Sequence, residues 1–348
     1  MWALLGAPGS AATFRAGEWP LEVAVTADQS SISLGEPTWL SFTVSNLSDE
    51  PLQLLVGGDD RNQLGRPGSF TVLVVGRDHQ RVPQPDAGLG TGGLVGPQAL
   101  PPKGSHVFRL FLPHWAMFAE AGAYAITCRR LLQVARPTTG REFLQQPTSD
   151  VLVEARTDLQ VLPRDAARLG QLIRERGETM LREAGARGGD EAVIALAWID
   201  DARVVPYFRG ALKIPSYALK FVAVQVMGRF ATDEACEGLK AAMAVTAADF
   251  SYAEEEKSPE LAARIRHAAA GALGRSRHPA AVEFLVAHRR DESEHVRVAV
   301  VNAIARLPAT RALPLLEEMA RDRSPLVVEA ARRHLGALKR TAETPKPK

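Results

Sequence analysis

The fold of the C-terminal half is decided by the stretch Val296-Arg-Val-Ala-Val-Val-Asn-Ala-Ile-Ala-Arg-Leu307. Its small and aliphatic residues follow one another at steps of 3, 1, 3, 1 and 3, which places them on one face of a helix. The same columns recur from Leu219, Ile265 and Val327, and the last three copies are offset by 31 residues. Self-similarity at a fixed period of this length predicts a stacked array of helices.

A second set of apolar columns precedes each of these helices, so each repeat is predicted to be a pair of helices. One pair alone cannot bury its apolar face, and the pairs must therefore stack. The spacing predicts an array of about five repeats over residues 164–340. The columns of the first helices are Val205, Phe208 and Ala211; Cys236, Leu239 and Ala242; Val282, Leu285 and His288; and Leu313, Leu316 and Met319.

The repeats resemble HEAT repeats, and their short, Ala-rich units look most like the variety first described in phycobilin lyases. The resemblance rests on the period, on the spacing from Asp291 to Val296-Arg297 with a less complete copy after Asp322, and on Pro206 and Pro314 early in first helices. It implies a solenoid whose second helices line a concave side and which binds other macromolecules. It implies no single activity.

The pattern departs from these repeats at two places. Val328 stands where the other copies have a basic residue, namely Lys220, Arg266 and Arg297. In addition, about 15 extra residues separate the second and third copies.

Residues 20–163 contain short apolar runs between turn residues, which predicts a β-sandwich. Period-two alternation is clear where Leu40, Phe42 and Val44 alternate with polar residues. The predicted strands are Leu21–Ala27, Trp39–Ser45, Leu52–Val56, Phe70–Val75, Val107–Leu112, Tyr124–Leu132 and Val151–Val161.

Two phrases of this region resemble bacterial immunoglobulin-like domains. They are Ser33-Leu-Gly-Glu-Pro-Thr-Trp-Leu-Ser-Phe-Thr-Val-Ser-Asn46 and Gly122-Ala-Tyr-Ala-Ile126. The resemblance implies that the hydroxyl of Tyr124 ties a corner before a late strand. The fold class expected for the chain is thus an immunoglobulin-like β-sandwich followed by a HEAT-type α-solenoid.

Three segments lie outside these regular patterns. Residues 1–19 resemble the back half of a secretory signal, which favours the cell envelope or periplasm; the alternative is a leader on a cytoplasmic protein. Residues 341–348 are expected to be a disordered tail. Residues 77–104 are expected to form a long loop. Its segment Gly88-Leu-Gly-Thr-Gly-Gly93 has the spacing of a dinucleotide-binding motif, but the sequence after it does not predict the helix that such a motif needs.

Composition excludes several classes of function. The chain has 42 Lys and Arg against 40 Asp and Glu, a formal net charge of +2, which does not favour a nucleic-acid partner. It has no run of about 20 apolar residues that would span a membrane. Because nucleophile, phosphate-loop and metal-ligand motifs are missing, we expect no enzyme activity, no cofactor and no metal site; Cys128 and Cys236 are expected to be buried apolar residues.

Two groups of residues are candidates for binding a protein partner. Arg229, Arg275 and Arg306 share one repeat position near the ends of second helices, beside a polar column of Gln225, Asn302 and Arg333. A row of guanidinium groups can bind an acidic partner. The alternative is that these arginines satisfy carbonyl groups at helix ends.

The second group lies in the inserted residues 245–258. Phe250 and Tyr252 precede the acidic run Glu254–Glu256, and aromatic residues in a polar loop can anchor a partner. The alternative is that they fold back over the array.

The sequence predicts a non-catalytic interaction scaffold that binds a protein through the concave face of the solenoid. One alternative is a proteinase-inhibitor-like module that uses the β-sandwich and its 77–104 loop. Another is a cofactor-handling or lyase-associated repeat protein.

Overall fold

The computed structural model describes residues 19–56, 66–86, 89–90, 96–137, 148–250, 258–276 and 278–343. The chain divides into two compact units, Met1–Leu172 and Ile173–Lys348. Most of the predicted leader, most of the glycine-rich motif at 88–93, Tyr252 with the acidic run after it, and residues 344–348 lie outside the described residues.

The first unit is rich in strands, as predicted. Its strands are β1 (Leu21–Ala27), β2 (Ser31–Ser33), β3 (Trp39–Asn46), β4 (Leu52–Val56), β5 (Arg66–Pro67), β6 (Phe70–Val75), β7 (Leu89–Gly90), β8 (Gly96–Leu100), β9 (Ser105–Phe111), β10 (Gly122–Ala135) and β11 (Ser149–Leu162). One sheet has the order β1-β3-β9, and a larger one has the order β2-β11-β10-β4-β8, with β6 also paired to β10. The pairing is antiparallel except for β11 with β2 and β5 with β7.

Both main sheets contribute side chains to one core. Phe42 and Leu110 of the smaller sheet and Ile126 and Val153 of the larger one belong to the same buried cluster. The alternation predicted for β3 is confirmed, because Leu40, Phe42 and Val44 are fully buried. The immunoglobulin-like assignment of this unit stays a prediction.

Tyr124 makes the corner contact that the resemblance implied. Its hydroxyl donates a hydrogen bond of 2.8 Å to the carbonyl oxygen of Glu120, four residues upstream. The ring lies 4.7 Å from that of Phe118. The contact ties the start of β10 to the segment that leads into it.

The expected loop at 77–104 is shorter than the sequence indicates. Residues 96–100 form β8, which pairs with β4 along its whole length, so the expectation of irregular structure there was wrong. The sequence did not predict this strand because it begins with Gly96 and Pro97, and both residue types are depleted in strands. β8 is the last strand of its sheet, and proline is tolerated at an edge.

The second unit is an array of helices in consecutive pairs, and the first helix begins in the last residues of the first unit. The helices are α1 (Ala166–Arg182), α2 (Arg187–Trp198), α3 (Val205–Ala211), α4 (Tyr217–Met227), α5 (Asp233–Met243), α6 (Ser258–Arg275), α7 (Pro279–Ala287), α8 (Glu294–Ile304), α9 (Ala309–Met319) and α10 (Pro325–Glu343). Asp165 caps α1, as predicted, since its Oδ1 accepts hydrogen bonds from the amides of Ala167 and Arg168. Among the described residues, no helix is both long and apolar enough to cross a lipid bilayer.

The predicted apolar columns form the interior of the array. The second helices pack against each other in the order α4, α6, α8 and α10. Of the columns that begin at Ile265 and Val296, every member is buried except Ala268, Ser276 and Leu307, which are half-buried. Gly274 allows the close approach of α6 and α8, because a Cβ there would lie 2.7 Å from the Cβ of Ala303.

A buried arginine links two of the repeats to the repeat that follows. Arg297, which is 3% exposed, donates two hydrogen bonds of 2.9 Å to the carboxylate of Asp322 in the next repeat. Its Nη1 also donates to the carbonyl oxygens of Asp291 and Glu292. Arg266 occupies the same place one repeat earlier, where its Nε lies 3.4 Å from Asp291.

The aspartates of these pairs also accept hydrogen bonds from backbone amides just before the second helices α8 and α10. Oδ1 of Asp291 accepts from the amide of Ser293 at 2.9 Å, and Oδ1 of Asp322 accepts from that of Ser324 at 2.8 Å. The carboxylate of Asp291 thus contacts both Arg266 and the amide of Ser293, and Arg297 donates to the backbone carbonyl oxygen of Asp291 six residues earlier.

Replacement of Tyr124 by Phe tests the corner contact. The free energy of unfolding of the strand-rich unit should fall by about 1 kcal/mol, since one hydrogen bond is removed and the ring is kept. Chemical denaturation measures the change. Tyr207→Phe serves as the control and should cost less than about 0.5 kcal/mol, and equal costs for both variants would contradict the role of the hydroxyl.

Replacement of Asp322 by Asn tests the link between repeats. At neutral pH the helical unit should lose about 3 kcal/mol of unfolding free energy, because Arg297 stays buried without its countercharge. Glu317→Gln, an exposed change on α9, is the control and should stay within about 0.5 kcal/mol.

The cost of Asp322→Asn should depend on pH. Burial raises the pKa of Asp322, but hydrogen bonds from Arg297 and Ser324 outweigh it and hold this pKa below its ordinary value of 3.8. A carboxyl with a lowered pKa stabilises the fold above its unfolded pKa, and the contribution is lost as the pH falls through the folded pKa. The difference between wild type and variant should therefore shrink below about pH 4; a constant difference would contradict the ion pair.

Candidate partner-binding face

The columns of the second helices that point away from the buried ones form one exposed surface, which we call the second-helix face. Its side chains are exposed or half-buried throughout. It contains Arg229, Arg264, Arg275, Arg306 and Arg333 against Glu260, Glu294 and Glu329, so positive charge is in excess, and Arg264 is paired with Glu260. Its other larger side chains are Tyr217, Phe221, Gln225, His267, His295, Val298, Asn302 and Leu326.

Arg229 and Arg306 reach back to the preceding second helix. Arg229 donates from Nη1 to the carbonyl oxygen of Ala197 at 2.7 Å and from Nη2 to that of Ile199 at 3.0 Å, at the end of α2. Burial lowers the pKa of Arg229, partly offset by Asp200. Nη1 of Arg306 donates to the carbonyl oxygen of Gly274 in the last turn of α6, at 3.0 Å. These two arginines thus satisfy carbonyl groups at helix ends, as the alternative interpretation holds, but in the neighbouring repeat.

Arg275 differs from the other two members of its row. It is exposed, and its guanidinium has no hydrogen-bond partner among the described residues. The repeat spacing predicted the position of Arg275 at the end of α6. It could not predict that the guanidinium has no acceptor among the described residues. Of the three predicted arginines, Arg275 is therefore the one most available to a partner.

Arg275 and Arg306 line one cleft, which we call the α6–α8 cleft. It lies among the end of α6, α7 and the end of α8, and its volume is about 420 Å³. Val282, Leu285 and Ile304 are among the residues that make much of its wall apolar. A cleft of this size falls within the range of ligand pockets, about 300–1,000 Å³.

His278 lines the same cleft and is held by two contacts. Its Nδ1 accepts from the amide of Ala280 at 3.3 Å, so the proton of the neutral ring is on Nε2. Nε2 lies 2.6 Å from the carboxylate of Asp233 on α5. These contacts fix the ring at the start of α7.

The predicted polar column is exposed along the face. Gln225, Asn302 and Arg333 are all exposed. Oδ1 of Asn302 accepts a hydrogen bond of 2.8 Å from Nε2 of His334. Burial, together with Arg333, lowers the pKa of His334, so the neutral ring donates to the amide.

Aromatic residues of the face were missed by the sequence reasoning. The rings of Tyr217 and Phe221 stack at 5.9 Å, and those of His267 and His295 stack at 6.1 Å. Burial lowers the pKa of His267, with a further contribution from His295. The repeat alignment could have shown these residues, because Phe221 and His267 each lie two positions after the first buried residue of a copy.

Phe250 is not available to a partner, so its assignment as a contact residue was wrong. It is 9% exposed, and Nζ of the buried Lys220 lies 5.8 Å from its ring centre. The ring covers the array because burial in an apolar interior is favourable for phenylalanine. Tyr252 lies outside the described residues.

The thiols are buried, as predicted. Burial raises the pKa of Cys128 to about 12, and burial is also the main cause that raises the pKa of Cys236. Both are therefore protonated near neutral pH, which makes them poor nucleophiles. In the part of the chain that the structure describes, His, Cys, Asp and Glu form no group of three or more that could hold a metal ion.

Methionine replacements test the division of roles among the three arginines. Arg229→Met should lower the unfolding free energy by about 2 kcal/mol, since two charge-assisted hydrogen bonds are lost. Arg306→Met should cost about 1 kcal/mol, and Arg275→Met less than about 0.5 kcal/mol. Chemical denaturation of the helical unit measures all three, and an Arg275→Met cost equal to that of Arg229→Met would show that Arg275 is also structural.

Comparison with known proteins identifies the helical repeats. Residues 259–336 match the family model of HEAT repeats, a range that lies within α6–α10. A search of the curated proteins found no match.

Solved structures with similar helices have low identity. The complex of CpcE and CpcF of phycocyanin lyase from Nostoc sp. PCC7120 is 20% identical over 49% of this chain and 99% of that chain, with a TM-score of 0.32. A designed armadillo repeat protein is 19% identical over 50% of this chain and 94% of that chain, with a TM-score of 0.28. From the family match, the helical unit that follows the strand-rich unit contains HEAT repeats over residues 259–336.

Proposed function

We propose that this protein is a non-catalytic scaffold that binds an acidic protein partner through the second-helix face. The observation that carries the proposal is the excess of exposed arginine on this face, with stacked aromatic side chains beside it. Tryptophan, tyrosine and arginine are enriched among the interface residues that contribute most of the binding energy. Guanidinium groups bind carboxylates through paired hydrogen bonds.

The array supports this function because its helices are held in place before a partner binds. Buried ion pairs connect consecutive repeats, and hydrogen bonds from Arg229 and Arg306 connect the ends of second helices. A surface that is already ordered loses little conformational entropy on binding. The face therefore offers its charges at the spacing of the repeats.

Charge reversal on the face tests the proposal. The double variant Arg275→Glu with Arg333→Glu removes two exposed guanidinium groups and should reduce capture of the partner from an extract of the source cells at least tenfold. Quantitative mass spectrometry of the bound proteins measures the loss. The melting temperature should not change, because both side chains are exposed.

Arg174→Glu is the matched control, since Arg174 is exposed on α1, outside the face. It should retain full capture. Purified partner should then bind more weakly as the salt concentration rises, as expected for exposed charge pairs. Equal capture by wild type and the double variant, or loss of the captured protein after nuclease treatment, would contradict the proposal.

A further inference from the structure

The α6–α8 cleft combines an apolar wall with unneutralised positive charge. Among the described residues that line it, the charged side chains are Arg275 and Arg306, with no aspartate or glutamate. His278 also lines the cleft, but its Nε2 already contacts the carboxylate of Asp233. Arg275 has no hydrogen-bond partner among the described residues, and Arg306 uses only Nη1, on Gly274. An anion bound there would not compete with a carboxylate among the described residues that line the cleft.

Part of the apolar wall is exposed to solvent. Val282 and Val286 of α7 and Leu307 after α8 are half-buried, whereas Leu285 and Ile304 below them are buried. The half-buried residues therefore retain apolar surface that a ligand could cover. Covering apolar surface stabilises a complex by about 25 cal/mol for each Å² removed from water.

A second cleft in the same unit provides a contrast. It has a volume of about 460 Å³ and is lined by Arg289, Arg290 and Glu318 among others. There Nε of Arg289 lies 3.0 Å from the carboxylate of Glu318, and Nη2 of Arg290 lies 3.6 Å from it. Arg289 and Arg290 are thus already paired, and Glu317 and Asp322 also line this cleft with Glu318, so charge complementarity favours an anionic ligand at the α6–α8 cleft.

We infer that the α6–α8 cleft binds an extended peptide segment in which a large aliphatic residue stands next to a carboxylate. The aliphatic side chain lies on the apolar wall between Val282, Val286 and Leu307. The carboxylate accepts hydrogen bonds from Arg275, with Arg306 at the same edge. This inference rests on the proposed function and names the segment of the partner that the face recognises.

A fluorescent peptide tests the inference on the full-length protein. The probe is fluorescein-labelled Gly-Ser-Asp-Leu-Asp-Ser-Gly with an amidated C-terminus, and fluorescence anisotropy measures its dissociation constant. Arg275→Glu should weaken binding at least tenfold, which corresponds to about 1.4 kcal/mol. Leu307→Asn should also weaken it at least tenfold, provided that circular dichroism and the melting temperature show the variant to be folded.

Arg290→Glu is the matched control, because Arg290 lines the second cleft and its side chain is 81% exposed. It should leave the dissociation constant unchanged. Arg275→Gln keeps a similar shape without the charge and should weaken binding less than Arg275→Glu. If Leu307→Asn does not fold, replacement of the probe's leucine by alanine tests the apolar contact from the peptide side.

Changes in the probe separate the possible ligands. Replacing both aspartates by asparagine, or the leucine by alanine, should weaken binding at least tenfold each. The dissociation constant of the peptide Gly-Ser-Gly-Ser-Leu with a free C-terminus shows whether a terminal carboxylate binds as tightly as a side-chain carboxylate. Equal binding of the asparagine peptide, or displacement of the probe by inorganic phosphate alone at equal concentration, would overturn the inference.

The two proposals fail in different ways. If wild type does not bind the probe but partner capture still depends on Arg275 and Arg333, the inference about the cleft is wrong and the proposed function stands. If the probe binds as expected but capture is the same for all variants, the cleft binds such peptides and the proposed function is wrong.

Discussion

The helical unit depends on buried charge pairs between consecutive repeats. Arg297 is nearly inaccessible to solvent, yet its carboxylate partner belongs to the next repeat. A buried charge is strongly destabilising unless it is paired and hydrogen-bonded. Neither repeat can therefore move away from the other without a large loss of free energy, and the same carboxylate also orders the turn before its own helix. Stacking and helix entry are thus determined together.

This constraint also fixes the spacing of the side chains on the second-helix face. Because successive repeats keep one spacing, equivalent side chains recur at regular intervals along the surface. The recurrence does not give them equal roles, however. Arg229 and Arg306 bind carbonyl groups of a neighbouring repeat, and Arg275 is left exposed beside the α6–α8 cleft. The same repeat position therefore has a structural role at Arg229 and Arg306. At Arg275 it has, in our proposal, a role in partner binding.

The sequence was informative where a residue's environment repeats or alternates along the chain. The strands β1, β3, β4 and β6 were predicted to within one residue at each end, and nine of the twelve residues in the columns from Ile265 and Val296 are buried as predicted. β8 was missed, because a strand at a sheet edge tolerates the glycine and proline that conceal it. The buried position of Phe250 could not be predicted, since an insertion has no second copy with which to compare it.

The sequence by itself determined that paired helices follow short strands, and which side chains of those helices face inward, because burial on a helix or strand follows its own period. Only the tertiary structure decided which charges are satisfied. The acceptors of Arg229 and Arg306 lie 30 to 32 residues away, and that of Arg297 lies 25 residues away. Hydrogen bonds require a distance near 3 Å and a suitable angle, and these depend on how whole repeats pack together.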